Sequence, residues 1–272
     1  MKIGRQLVTL LPILAVASAS CPAAQWRYSF GVSNQRVPEV DSDTFGIAGT
    51  LIVEDTTPSG VHLYGEGELF VDHDQDHLDP DHIPVWWRTH LFADGRIWEI
   101  SDSLDIGWIA ESSTKANTVS SVEREIKILP GLTANFRSGP FAASAKVASG
   151  MFFLEIDDDV PKERGYARGD FRNTVMAVSY AANASIELGQ SCRLRGQVQT
   201  WRDPDGWLEN QVVIDLHYDL SRWMADSALI FGFEHTEYNL AVYTPADAGD
   251  DPLPILPWDH DQFFKLALEK LW

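Results

Sequence analysis

Residues 211–221 read QVVIDLHYDLS. Val212, Ile214, Leu216, Tyr218 and Leu220 fall on one face of an extended chain, and Val213, Asp215, His217 and Asp219 fall on the other. Successive side chains of a strand point to opposite sides, so this alternation marks a β-strand with one apolar and one charged face. Residues 192–201, CRLRGQVQTW, repeat the pattern: Leu194, Gly196, Val198 and Thr200 oppose Arg193, Arg195, Gln197 and Gln199. In VHLYGEGELFV, residues 61–71, Val61, Leu63, Leu69 and Val71 oppose His62, Tyr64, Glu66 and Glu68. Strong helical periodicity is missing throughout.

Followed along the chain, the alternation predicts twelve strands: 26–33, 45–54, 61–71, 85–100, 104–112, 122–136, 141–157, 172–188, 192–203, 211–221, 228–243 and 263–272. Many exceed the five or six residues of an ordinary globular strand and match the nine to eleven or more of a tilted membrane-spanning one. The connections alternate in length. TTPSG, SDS, RSGP, GQS and RWMADS are short; 34–44, 72–82, 113–121, 158–171, 204–210 and 244–262 are longer. The long set carries 19 acidic and 5 basic residues. An even strand number with short turns at one end and long loops at the other is the pattern of an outer-membrane barrel. A soluble sandwich or lipocalin-like barrel alternates too. Eight strands enclose at most one small ligand, however, whereas twelve leave a wider lumen that suits a charged inner face. The expected fold is therefore all-β: a twelve-stranded antiparallel transmembrane β-barrel with long extracellular loops and short periplasmic turns.

The chain has 272 residues, 44% of them hydrophobic, and a formal net charge of −19. That composition excludes a disordered chain, and the acidity argues against nucleic acid as a partner, because phosphate binding needs a cationic face. MKIGRQ followed by LVTLLPILAVA and the small-residue stretch ASA, residues 17–19, reads as a secretory signal covering 1–19, with a single domain over 20–272. No later apolar run is long enough for a transmembrane helix.

FFKLALEKLW, residues 263–272, places Phe264, Leu266 and Leu268 on one face and finishes on Trp272. It resembles the C-terminal signal of bacterial outer-membrane barrel proteins, in which a terminal aromatic follows alternating apolar positions. The resemblance spans residues 26–272 at the level of architecture and is closest to twelve-stranded porin-like families: the oligogalacturonate-type porins, the nucleoside-specific channels and the outer-membrane lipid hydrolases. It implies an outer-membrane location, lipids and lipopolysaccharide as surroundings, and the barrel-assembly machinery as a partner in biogenesis.

Turning the apolar face outward leaves Arg88, Glu125, Lys127, Lys146, Glu187, Arg193, Arg195, Asp215, Asp219 and Glu234 lining a pore. Arg27, Lys265, Glu66, Glu68, Asp105 and Glu269 share that face. Such rungs of opposite charge create a transverse field that selects solutes, which points to passive passage of small hydrophilic solutes. The same charges paired across strands would plug the barrel, giving a closed structural or cation-binding protein. A lipid hydrolase of this architecture sets a Ser–His pair on the outer wall near the rim. His235 is the one histidine expected there, and no serine on the flanking strands accompanies it, so no enzyme and no cofactor are expected.

VDHDQDHLDPDH, residues 71–82, begins like a helix–loop–helix calcium site, but His77 and Ile83 stand where that motif needs Gly and Glu. As an extracellular loop, its Asp72, Asp74, Asp76, Asp79 and Asp81 form a candidate divalent-cation site, with His73, His77 and His82 as candidate transition-metal ligands. Cys21 and Cys192 both fall on the periplasmic side, and a disulfide between them requires Cα atoms within about 7 Å. Trp26, Trp87, Trp108, Trp201, Trp223, Trp258 and Trp272 fall near strand ends, where interfacial girdles form. In the last loop, Leu253, Ile255, Leu256 and Trp258 are expected to fold against the barrel mouth, with Asp250, Asp251, Asp259 and Asp261 ringing it.

Overall fold

A computed structural model describes residues 24–38, 42–72, 85–116, 122–156, 172–239 and 260–272. Period-two alternation becomes twelve strands: β1 (Gln25–Val37), β2 (Ser42–Thr56), β3 (His62–Asp72), β4 (Val85–Ser101), β5 (Leu104–Ala116), β6 (Val122–Ser138), β7 (Phe141–Ile156), β8 (Arg172–Leu188), β9 (Cys192–Arg202), β10 (Trp207–Asp219), β11 (Ser227–Tyr238) and β12 (His260–Leu271). Each pairs antiparallel with its sequence neighbours, and β1 also pairs with β12, so the sheet closes into a barrel. Closure leaves no sheet edge, which a lipid environment demands because it offers no water to unpaired backbone groups.

The outer face settles which side is apolar. Phe30, Phe45, Leu69, Leu132, Val147, Met176 and Val198 point outward from seven different strands and are all more than half exposed. An apolar belt running round a whole molecule is far larger than the patches a soluble monomer shows, and it is what lipid contact requires. Among the described residues, charged outward positions, such as Arg36, Arg124, Glu237 and Lys270, occur only towards strand ends.

At the short-turn end, Trp26, Tyr28, Trp98, Tyr218, Trp223 and Trp272 form an aromatic fringe, and Tyr218 and Trp223 stack with ring centroids 6.2 Å apart. Trp87 and Trp108 also face outward. Trp201 does not: it shares the inward face of β9 with Arg193, Arg195, Gln197 and Gln199 and is buried in the interior. The parity of β9 dictates this, and nearness to a strand end does not override it.

Short turns are closed by Gly60, Gly139 and Gly189 at positive φ, a conformation that favours glycine. The β9–β10 connection, expected as a longer loop over 204–210, is instead a tight turn. Asp205 and Gly206 backbone N–H groups donate to Asp203 Oδ1 at 2.9 and 2.8 Å, and β10 already begins at Trp207. An aspartate that caps its own turn substitutes for loop length. The signal segment 1–19, Cys21, the Asp/His loop beyond Asp72 and residues 240–259 lie outside the described residues.

β6 and β7 approach closely at mid-barrel. Pro130 has no N–H, and the ladder skips from Ile128–Met151 to Gly131–Ala148. There a Cβ added to Gly150 would stand 2.0 Å from the Ile128 carbonyl oxygen. Glycine is the residue that lets the two backbones meet.

Candidate functional site

The inward positions divide the interior into two halves. Towards the short turns, Asn135, Arg137, Ser144, Asn183, Arg195 and Asp215 line a cavity of about 210 Å³. Its walls mix polar and apolar surface and are partly exposed, so this half is an open vestibule. Arg195 faces Asp215 across the β9–β10 register, Asn135 Nδ2 donates to Asp105 Oδ1 at 2.8 Å, and Arg193 is ion-paired to Glu187. Arg27 bridges Glu54 at 2.8 Å and Glu269 at 3.8 Å. On the β3–β4 wall, Tyr64 stacks on Phe92 at 4.8 Å, and His62 meets Asp94 at 2.9 Å.

In the long-loop half the side chains meet across the lumen. Arg88 of β4 reaches Glu234 of β11 at 2.8 Å and is also paired with Glu68 of β3. Lys115 of β5 reaches the same Glu234 at 3.5 Å; β5 and β11 are diametrically opposed in the ring. Lys265 Nζ donates to Glu68 Oε1 at 2.6 Å, and Gln211 Nε2 donates to Glu234 Oε1 at 2.9 Å. Lys127 of β6 spans to Glu209 of β10 at 2.7 Å and holds Glu125 of its own strand at 2.9 Å. Its ammonium sits 3.8 Å from the Trp201 ring centroid and 4.9 Å from that of Phe152. Both are favourable cation–π placements for a desolvated lysine. Arg88 lies likewise over Phe263 and Phe70.

Together these residues form a septum. The space left between Gln35, Trp86, Arg88, Lys115, Glu234 and Asp261 is about 10 Å³, the lower limit for one water. Beyond it, Val37, Val122, Leu154, Ile156, Leu208 and Tyr238 form an apolar cap at the strand ends. Lys146 and Glu111 make a further buried ion pair, with His90 3.4 Å from the same carboxylate.

All ten residues expected to line the pore have the inward parity of their strands. Arg88, Glu125, Lys127 and Glu234 belong to the septum. Lys146 lies at mid-height, and Glu187, Arg193, Arg195 and Asp215 belong to the vestibule. Asp219 keeps that parity at the last position of β10, where it is exposed and its Oδ1 accepts from the Ser221 backbone N–H at 2.8 Å. There it also shapes the turn that follows the strand.

Sequence reading missed Lys115, Glu209 and Asp261 by assigning them to loops. All three continue the inward parity of their strands, two positions on from Ser113, Gln211 and Phe263, and that parity was the available signal. Asp261, expected at the mouth, is buried and accepts from the Tyr238 hydroxyl at 3.2 Å.

His235 lies on the outer wall near the long-loop rim, 3.5 Å from Glu237. Its register partners are Val212 and Gln262, so no serine faces it. Asp72, the one described member of the Asp cluster, accepts from Trp86 Nε1 at 3.2 Å; the other four aspartates and His73, His77 and His82 lie outside the described residues. Among the described residues no group of three His, Cys, Asp or Glu side chains is arranged to hold a metal. Cys192, on the outward face of β9, has no disulfide partner among the described residues, and Cys21 lies outside them.

No protein-family profile matches the chain, and no curated protein matches it in sequence. Solved structures do match in fold. The NanC porin aligns with a TM-score of 0.51 at 8% identity, covering 90% of this chain and 98% of that one. The KdgM porin aligns at 0.46 and 7% identity, covering 89% and 98%. Outer membrane phospholipase A from Escherichia coli aligns at 0.44 and 11% identity, covering 91% and 95%. The chain thus has the closed β-barrel fold of the NanC porin, with an apolar belt of the kind that lipid contact requires.

Proposed function

We propose that this barrel is a porin-like outer-membrane channel for small hydrophilic solutes, held shut in the described conformation by its ion-pair septum. The observation that carries the reading is the chemistry of the barrier. A permanent plug is most stable when built from apolar side chains; replacing buried ion pairs by well-packed apolar residues is often neutral or stabilises by about 1–4 kcal/mol. Here Arg88, Lys115, Lys127 and Lys265 meet Glu68, Glu125, Glu209 and Glu234 directly above an open vestibule. Side chains of this kind exchange partners for water when the barrier parts, whereas an apolar plug must be exposed at full cost.

Planar-bilayer recording tests the proposal. Glu234→Gln weakens the links to Arg88 and Lys115 together, and is expected to give sustained conductance where the wild-type protein opens briefly. The apolar cap around Leu208 and Tyr238 favours a second reading, a closed barrel with a structural role. Silence of both the wild type and Glu234→Gln in a correctly folded barrel would select that reading.

A further inference from the structure

Lys127 is shared by two carboxylates. Its Nζ lies 2.7 Å from Glu209 Oε2 and 2.9 Å from Glu125 Oε1, with the Trp201 ring closing one side. Glu125, Lys127 and Glu209 are 1%, 2% and 0% exposed. Both carboxyl groups close on the same ammonium, which sets them beside each other. One oxygen of each, Glu125 Oε2 and Glu209 Oε1, is buried with no donor. Two ionised carboxylates offer only acceptors, so neither can satisfy the other.

The surrounding charges sharpen the point. Arg88 comes from β4, Lys115 from β5, Glu125 and Lys127 from β6, Glu209 from β10, Glu234 from β11, and Lys265 and Asp261 from β12; Glu68 comes from β3. The phenol of Tyr238 on β11 faces Asp261, while β7 and β9 present Phe152 and Trp201, and β1 presents Gln35. Among the described residues the septum therefore holds five carboxylates against four cations. One proton makes it neutral.

We propose that Glu125 and Glu209 hold a single proton between them, and that this proton keeps the septum shut. One carboxyl group donates its O–H to the other carboxylate, which supplies the missing donor. Release of the proton to water leaves two like charges side by side and a net negative charge in a dry interior. The pair then separates and hydrates, and the Lys127 bridge to Glu209 opens with it. The closed form holds one proton more than the open form, so raising the pH favours opening, by at most about tenfold per pH unit for a one-proton difference. The part concerning opening rests on the channel reading; the shared proton does not.

Infrared spectroscopy of the protein in lipid vesicles, paired with bilayer recording, tests both parts. At neutral pH the wild type is expected to show the carbonyl stretch of a protonated, buried carboxyl group. The band should vanish in Glu209→Gln and in Glu125→Gln, and in the wild type as the pH is raised. Over the same range the wild-type open probability should climb, while Glu209→Gln, whose amide permanently supplies the donor, stays shut. Absence of the band at neutral pH, or its survival in both variants, overturns the shared proton. The expected band with pH-independent wild-type openings overturns its gating role. If no form conducts at any pH although the band behaves as described, the channel reading and the gating role fall and the shared proton stands.

Discussion

At the scale of single residues, Lys127 shows how the interior is held. It bridges two carboxylates that water cannot reach. Lys127→Met keeps most of the volume and removes the charge, and is expected to cost about 3–5 kcal/mol, because breaking a buried pair strands its partner. The denaturant midpoint of the folded barrel in detergent, followed by tryptophan fluorescence, measures this. The triple variant with Glu125→Gln and Glu209→Gln should recover most of the loss; no recovery would mean that Lys127 acts through packing on Trp201 instead. Arg88, Glu125, Lys127 and Glu234 were legible as inward residues from parity alone. Their partners across the lumen were not. Sequence alternation says which side a residue faces, but the pairing of Arg88 with Glu234 depends on which strands the closed ring sets opposite each other. Glu209 was hidden by a different cause. The Asp203 turn is so compact that the strand starts where the composition reads as loop.

At the scale of the strand, register is the determining quantity. Long alternating stretches such as 172–188 were readable to the residue, since Met176, Tyr180, Ile186 and Leu188 share the outward face and a one-residue slip would turn them into the lumen. Strand ends at the long-loop side were less readable, because there the outward face loses its apolar signal while pairing continues, as in Ser112 to Ala116. The Gly150 approach is a second strand-scale feature invisible to periodicity. Gly150→Ala is expected to destabilise by about 1–3 kcal/mol, as overpacking does in a close-fitted interior. Gly196→Ala, on an outward position with open space around its Cβ direction, is the control and should be near neutral. Comparing the unfolding midpoints of the two variants checks the claim; equal midpoints would remove the close approach as a constraint.

At the scale of the whole molecule, the belt and the interior make opposite demands on one sheet. Val147 points into the belt at mid-strand on β7, and its neighbour Lys146 points into the lumen to pair with Glu111. Val147→Arg should cost about 2–4 kcal/mol of folding free energy in vesicles, the penalty for a cation near the bilayer midplane. Arginine at Ser138, next to the short turn, should cost no more than about 1 kcal/mol. Folding titrations in vesicles of defined thickness read the difference, and similar costs at both positions would argue that the belt does not sit in hydrocarbon as placed.

The β1–β12 seam carries a consequence for how the chain reaches this state. Arg27 pairs with Leu271, and the Trp272 amide donates to the Trp26 carbonyl at 2.8 Å, so the last ladder joins the two ends of almost the whole chain. Every other pairing is a local hairpin. By loop-closure entropy alone, joining ends this far apart costs roughly 3 kcal/mol more than closing a ten-residue hairpin. Until it happens, the nascent sheet has two unsatisfied margins, each a template for another chain. Hairpins can accumulate early and in any order, yet none of them removes a margin. The kinetic hazard of this protein is therefore concentrated in a single late event, and assistance during biogenesis has most to gain by holding β1 and β12 apart from other chains and then bringing them to each other.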